Sequence, residues 1–201
     1  MNFFHFIPLI ALAICLSAAC GFRVFLPPLG VGLAAHFGYM DVAGQGLDWL
    51  ADWKTLSILG VASFIEFCSF YIPYLDNLLD TIASPLAVIA GVLISSSLLN
   101  ELDPAFKWGL ALIAGGGSSG LIQGTTVAIR AGSTGLTGGL GNFIVATLEV
   151  IFSAVLTFFA IFLPIIGVFF VIGLLYLGYL SIKKIKEKLL KKKTTKLFIL
   201  S

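Results

Sequence analysis

The chain reads as long apolar runs separated by short polar punctuation, without the strict alternation of half-buried strands. The first run extends from about Phe3 to Cys20. It leads into Gly21-Phe22-Arg23-Val24-Phe25-Leu26-Pro27-Pro28, where two prolines and nearby glycines predict a break, and a second short piece carries on to Phe37. Residues 38–54 hold Asp41, Asp48 and Asp52 beside Trp49 and Trp53, the composition of an interfacial loop with aromatic anchors. A helix is predicted from Thr55 to Ile72 and ends at Pro73. Another runs from Pro85 to Leu99 and closes on the polar turn Asn100-Glu101-Leu102-Asp103-Pro104. The next starts near Ala105 and meets a segment in which ten of the 27 residues from Gly115 to Gly141 are glycine. Each interior glycine costs a helix about 1 kcal/mol against alanine, so a second broken helix is predicted there. Two further helices follow, from Gly141 to Phe162 and from Pro164 to Ile182.

Composition turns this pattern into a solvent. Of 201 residues, 59% are hydrophobic and 11% are charged, too few polar groups to cover a water-soluble fold of this size. The predicted class is all-α: a polytopic transmembrane helix bundle of about six spans with two Gly/Pro-broken helices. Residues 1–182 form a single transmembrane domain and 183–201 a basic tail. Eight of the twelve basic residues, Lys183, Lys184, Lys186, Lys188, Lys191, Lys192, Lys193 and Lys196, lie in that tail. The remainder carries 4 basic and 9 acidic residues, so nucleic-acid binding is not indicated. The tail reads as a cytoplasmic topology anchor, with binding of an anionic lipid as the sharper expectation. Residues 3–19 have the apolar core of a signal peptide, but no Lys or Arg precedes them and the apolar character continues past Cys20. A retained first helix is the expectation. Cys15, Cys20 and Cys68 sit in apolar runs without metal-ligand spacing, and neither a metal nor a cofactor is expected.

A weak internal echo accompanies the two breaks. Arg23 and Arg130 follow them, and Val61-Ala62-Ser63-Phe64-Ile65-Glu66 parallels Val145-Ala146-Thr147-Leu148-Glu149. Halves of 1–100 and 101–182 would form a 3+3 inverted repeat, the plan of many secondary transporters with sites at the midplane.

Ionised groups inside a membrane seldom face lipid. Glu66 and Glu149 are therefore the leading site residues, available to bind a proton or cation, or to pair with Arg23 or Arg130. Asn142 and Gln123 are expected to line the same region. Asp76 and Asp80, four apart, are secondary candidates for a helical face or a Mg²⁺-diphosphate site, although no second aspartate cluster follows. Gly117-Ser118-Ser119-Gly120 fits the G-x-S-G of intramembrane serine proteases. Ser118 and Ser119 lack a later histidine, since His5 and His36 lie upstream, and close helix packing is the preferred reading.

Gly21-Phe22-Arg23-Val24-Phe25-Leu26-Pro27 with Gly32-Leu33-Ala34, Glu66 leading into Ile72-Pro73-Tyr74-Leu75-Asp76 and Asp80, and the Gly-rich stretch with Thr125, Arg130, Asn142 and Glu149 together resemble a bacterial membrane-protein family, DUF4126 (domain of unknown function 4126). The likeness covers about residues 8–180. It implies the membrane class and the same polar residues, and it supplies no substrate. The functional expectation is a small transporter or channel-like protein in a bacterial inner membrane, C-terminus cytoplasmic, moving a small solute or ion through the intramembrane glutamates, and capable of forming a homo-oligomer. A lipid-handling enzyme or a membrane scaffold is the alternative.

Overall fold

The computed structural model describes residues 3–42, 46–69 and 75–200, with side chains placed for 7–42, 46–69 and 80–188. It is an all-α bundle, with no strand among those residues. The helices are α1 (Phe3–Phe22), α2 (Leu26–His36), α3 (Trp53–Ser69), α4 (Leu75–Leu98), α5 (Pro104–Leu110), α6 (Gly117–Thr137), α7 (Asn142–Phe162) and α8 (Pro164–Leu200). A 3₁₀ turn at Asp48–Ala51 precedes α3, and a π-helical turn at Ala111–Gly116 joins α5 to α6.

α1 is apolar on every side, and a helix of that kind belongs in a core. Ala13, Cys15, Leu16, Ser17, Ala18, Ala19 and Cys20 are wholly buried, and α1 packs against α4, α6, α7 and α8. Its small residues let four neighbours come close, which is how membrane helices gain packing energy without a hydrophobic drive between them. Ser17 donates to Gly91 O at 2.9 Å and accepts from Ser95 at 2.8 Å, while Ser153 donates to Ala19 O at 3.0 Å. These hydroxyls stitch α1 to α4 and α7.

The predicted break after α1 is present: Phe22 ends one helix, Leu26 begins the next, and proline stands in the first turn of α2, where its missing N–H costs nothing. The second predicted break is not. The Gly-rich stretch stays helical from Pro104 through the π turn to Thr137, and it unwinds only at Gly138, whose φ of 67° suits glycine. Glycine there serves contact between helices instead of a bend. A Cβ on Gly91 would lie 2.5 Å from Ser119 Oγ, one on Gly115 would lie 2.5 Å from Gly91 O, and one on Gly21 would lie 2.5 Å from Ser119 O. Packing energy from α1 and α4 outweighs the propensity penalty.

Two other expectations shift. Pro85, predicted to start a helix, lies inside α4, which begins at Leu75 and so carries Asp80 on its second turn. α8 does not stop at Ile182 but continues as helix through the lysine run to Leu200. Among the described residues three helices are long and apolar enough to cross a membrane: 80–98, Asn142–Phe162 and Pro164–Lys188, with Ile7–Phe22 a shorter apolar helix. Of the other helices, α2 has 11 residues, α3 has 17 among the described residues, and α6 is diluted by Gly, Ser and Thr. The outer surface carries exposed Ile144, Ile151, Phe158, Phe169, Ile172 and Tyr176, an apolar coat that water would penalise and lipid does not. Trp49, Trp53 and Tyr39 stand exposed around the segment before α3, as interfacial aromatics do.

Candidate functional site

The break between α1 and α2 gathers the polar residues. Arg23 follows directly on α1, its N–H still donating to Ala19 O at 3.1 Å, and the amides of Val24 and Phe25 are outside any helix that could satisfy them. Glu66, near the C-terminal end of α3, supplies the acceptors: Val24 N–H donates to its Oε1 at 2.9 Å and Phe25 N–H to its Oε2 at 3.2 Å. A carboxylate on the first amides of α2 also meets the positive end of that helix.

Arg23 turns the other way, toward α7. Its Nη2 lies 3.2 Å from Glu149 Oε2 and donates to the carbonyl of Ala146, one turn earlier on the same helix, at 2.8 Å. Glu149 also receives Arg130 from α6 in fork geometry, Nε donating to Oε1 at 3.0 Å and Nη2 meeting Oε2. The third nitrogen of Arg130, Nη1, donates to Asp80 Oδ1 on α4 at 3.0 Å. Two guanidiniums therefore converge on one carboxylate, and a second carboxylate extends the chain.

Burial makes this grouping consequential. Arg23 and Glu149 are each 2% exposed, Arg130 4%, Glu66 8% and Asp80 9%. Five ionisable side chains from α3, α4, α6, α7 and the helix break sit inside a bundle with an apolar exterior. Two cations face three carboxylates, so the fully ionised cluster carries one excess negative charge; one proton or one small cation would balance it.

Glu149, Arg23, Arg130 and Asp80 form one continuous ion-pair chain, and Glu66 adjoins it through the backbone next to Arg23. Gln123 lies beside the chain: its Nε2 donates to Ser84 Oγ at 3.2 Å, and Ser84 donates to the Asp80 carbonyl at 2.6 Å. Asn142 is buried at the start of α7 and donates to Thr134 Oγ1 at 3.1 Å. The side chain of Asp76 lies outside the described residues, so the D-x-x-x-D face is represented by Asp80 alone, turned onto Arg130. Ser118 and Ser119 donate to carbonyls of their own helix, Ala114 and Gly115, with Ser119 at 2.9 Å. His36 is remote and exposed, bonded to Ala51 O at 2.9 Å, and the His5 side chain is outside the described residues. The serines pack helices together and have no base beside them among the described groups. Ser84 and the Val24 and Phe25 amides were not visible as site groups in the sequence; the one hint was Ser84 standing four residues after Asp80.

An all-helical, lipid-suited bundle with a buried ion-pair chain at a helix break defines a membrane protein whose polar core is its distinguishing feature. The chain belongs to the family described as Domain of unknown function (DUF4126), whose model matches residues 10–184. No curated protein and no solved structure matches it.

Proposed function

We propose that the chain is a small transporter of the bacterial inner membrane, C-terminus cytoplasmic, that carries a small anionic solute together with a proton. One observation carries the reading: Arg23 and Arg130 converge on the same carboxylate, Glu149, in the buried core. Two guanidiniums on one carboxylate form an anion receptor already occupied by an internal anion. A proton delivered to Glu149 neutralises that occupant, and a solute carboxylate or phosphate takes its place between the arginines. The proton adds one positive charge and a monoanion one negative charge, so the loaded site has the same net charge as the empty one. The exchange therefore avoids the large desolvation penalty of adding an uncompensated charge to the core. Glu66 holds the break that presents Arg23, and Gln123 flanks the chain through Ser84. Adhesion alone is a weak reason to keep such a cluster, since apolar side chains of similar size hold buried sites together as well or better.

The test uses proteoliposomes loaded with a pH-sensitive dye and offered small monocarboxylates or inorganic phosphate. A transported anion should acidify the lumen. In Glu149→Gln, which fixes the neutral form, exchange of labelled anion should persist while acidification is lost. Glu66→Gln should also lower flux while the protein still accumulates in the membrane. Proton coupling retained in Glu149→Gln, or no flux with any anion, overturns the reading.

A second reading has its own observation. Glu149 is in tight contact with both arginines and Glu66 with backbone amides. A scaffold in which these charges clamp α1 to its neighbours would be built this way. It would show no flux, and its variants would change stability only.

A further inference from the structure

α6, α7 and α8 leave a cleft of about 320 Å³ between them, lined by Ile129, Val145, Leu148, Leu174, Leu177 and Ser181 among others. Its walls are almost wholly apolar. The one ionisable lining residue, Glu149, is 2% exposed and turned onto the arginines. A polar solute gains nothing from such walls, whereas an acyl chain does. Leu148 and Leu177 are exposed at the outer surface, so the cleft is reached from the lipid side.

The lining stripe of α8 does not end in apolar residues. Leu174, Leu177 and Ser181 are spaced by three and four, and the same spacing continues to Lys184 and Lys188, both exposed. Lys183 and Lys186 fall on the far side of the helix. Ile185 is seated over Gly132, where any Cβ would collide with it, which holds α8 against α6 just past the cleft. The cleft thus runs from an apolar slot to a pair of cations on one helical face. The neighbouring cleft between α2 and α7, walled by Leu26, Leu33, Phe37, Tyr39, Phe158 and Phe162, has no cation on its walls.

We propose that the α6–α7–α8 cleft holds one acyl chain of an anionic phospholipid whose headgroup is bound by Lys184 and Lys188. This does not rest on the transport reading: it uses the apolar walls of the cleft and the lysines, and the ion-pair chain adjoins the cleft only at Glu149. Native mass spectrometry of the full chain in detergent, titrated with phosphatidylglycerol or phosphatidylcholine, tests it. Phosphatidylglycerol should bind more tightly. Lys184→Gln with Lys188→Gln should weaken it about 30-fold, from about 1 kcal/mol per lysine. Lys183→Gln with Lys186→Gln removes the same charge and should change affinity by no more than about twofold. Val145→Trp, which fills the slot, should weaken both lipids. Equal losses from the two lysine pairs, equal affinity for the two headgroups, or unchanged binding in Val145→Trp would each overturn the proposal.

Discussion

Replacing Glu149 by glutamine removes the charge on which three donors converge: Arg130 Nε, Arg130 Nη2 and Arg23 Nη2. The volume is unchanged, so no cavity contributes, and the effect is electrostatic. Two buried cations would then face a neutral amide, with Asp80 still 3.0 Å from Arg130. Breaking a buried pair by neutralising one partner costs about 3–5 kcal/mol. If the loss comes from donors that Glu149 no longer accepts in ionised form, deleting Arg23 as well should return part of it, because one donor fewer then competes for the amide oxygen while Arg130 keeps Asp80. The double variant, Arg23→Leu with Glu149→Gln, should therefore be more stable than the sum of the two single losses by about 1–3 kcal/mol. Equilibrium unfolding in mixed micelles, followed by circular dichroism, gives all four corners of the cycle. A loss below about 1 kcal/mol for Glu149→Gln, or strict additivity in the cycle, would refute the electrostatic account.

Further outcomes follow from the packing and the caps. Gly91→Ala should destabilise by about 1–3 kcal/mol in the same unfolding assay, because its Cβ would meet Ser119 Oγ at 2.5 Å, whereas Gly60→Ala meets nothing within 4 Å and should be neutral or better. Glu66→Ala strips the acceptors from the Val24 and Phe25 amides and should cost about 2–4 kcal/mol. Glu66→Gln keeps one carbonyl oxygen and should cost about half as much; equal losses would show that the caps are not what Glu66 contributes. Asp103 accepts from Ala105 N–H at 3.0 Å ahead of Pro104, and Asp103→Ala should lower stability by about 0.5–2 kcal/mol, read as a shift in the thermal midpoint.

The helical class was legible because apolar runs of this length have few other solutions, and the α1–α2 break because Pro27 and Pro28 carry local backbone information. The charged residues stood out for a similar reason: Arg23, Glu66, Arg130 and Glu149 are costly in apolar surroundings wherever they end up. Their partners were another matter. Glu66 bonds to backbone amides, and amides have no letter in a sequence. Asp80 looked like half of an interfacial pair with Asp76 until α4 was placed beside α6. The glycines from Gly115 onward are ambiguous in the sequence because glycine permits both a bend and a close approach. Which of these wins depends on whether Gly91, Ser95 and Gly21 stand opposite, a fact that no local window contains. α1 likewise resembles any lipid-facing span, and only the fold shows its stretch from Ala11 to Gly21 enclosed by other helices.

That enclosure has a consequence for assembly. α1 precedes in the chain every helix that surrounds it, so it must enter the bilayer without its eventual neighbours. The bonds at its C-terminal break come from different distances: Glu66, which caps Val24, is 42 residues away, while the α7 carbonyl that receives Arg23, at Ala146, is 123 residues away. If helices insert in order, α3 can secure the break early, and Arg23 must pass most of synthesis before α7 reaches it. An ionised arginine exposed in the hydrocarbon core is costly until it is paired. The ion-pair chain through Glu149 is thus closed only when α7 has docked.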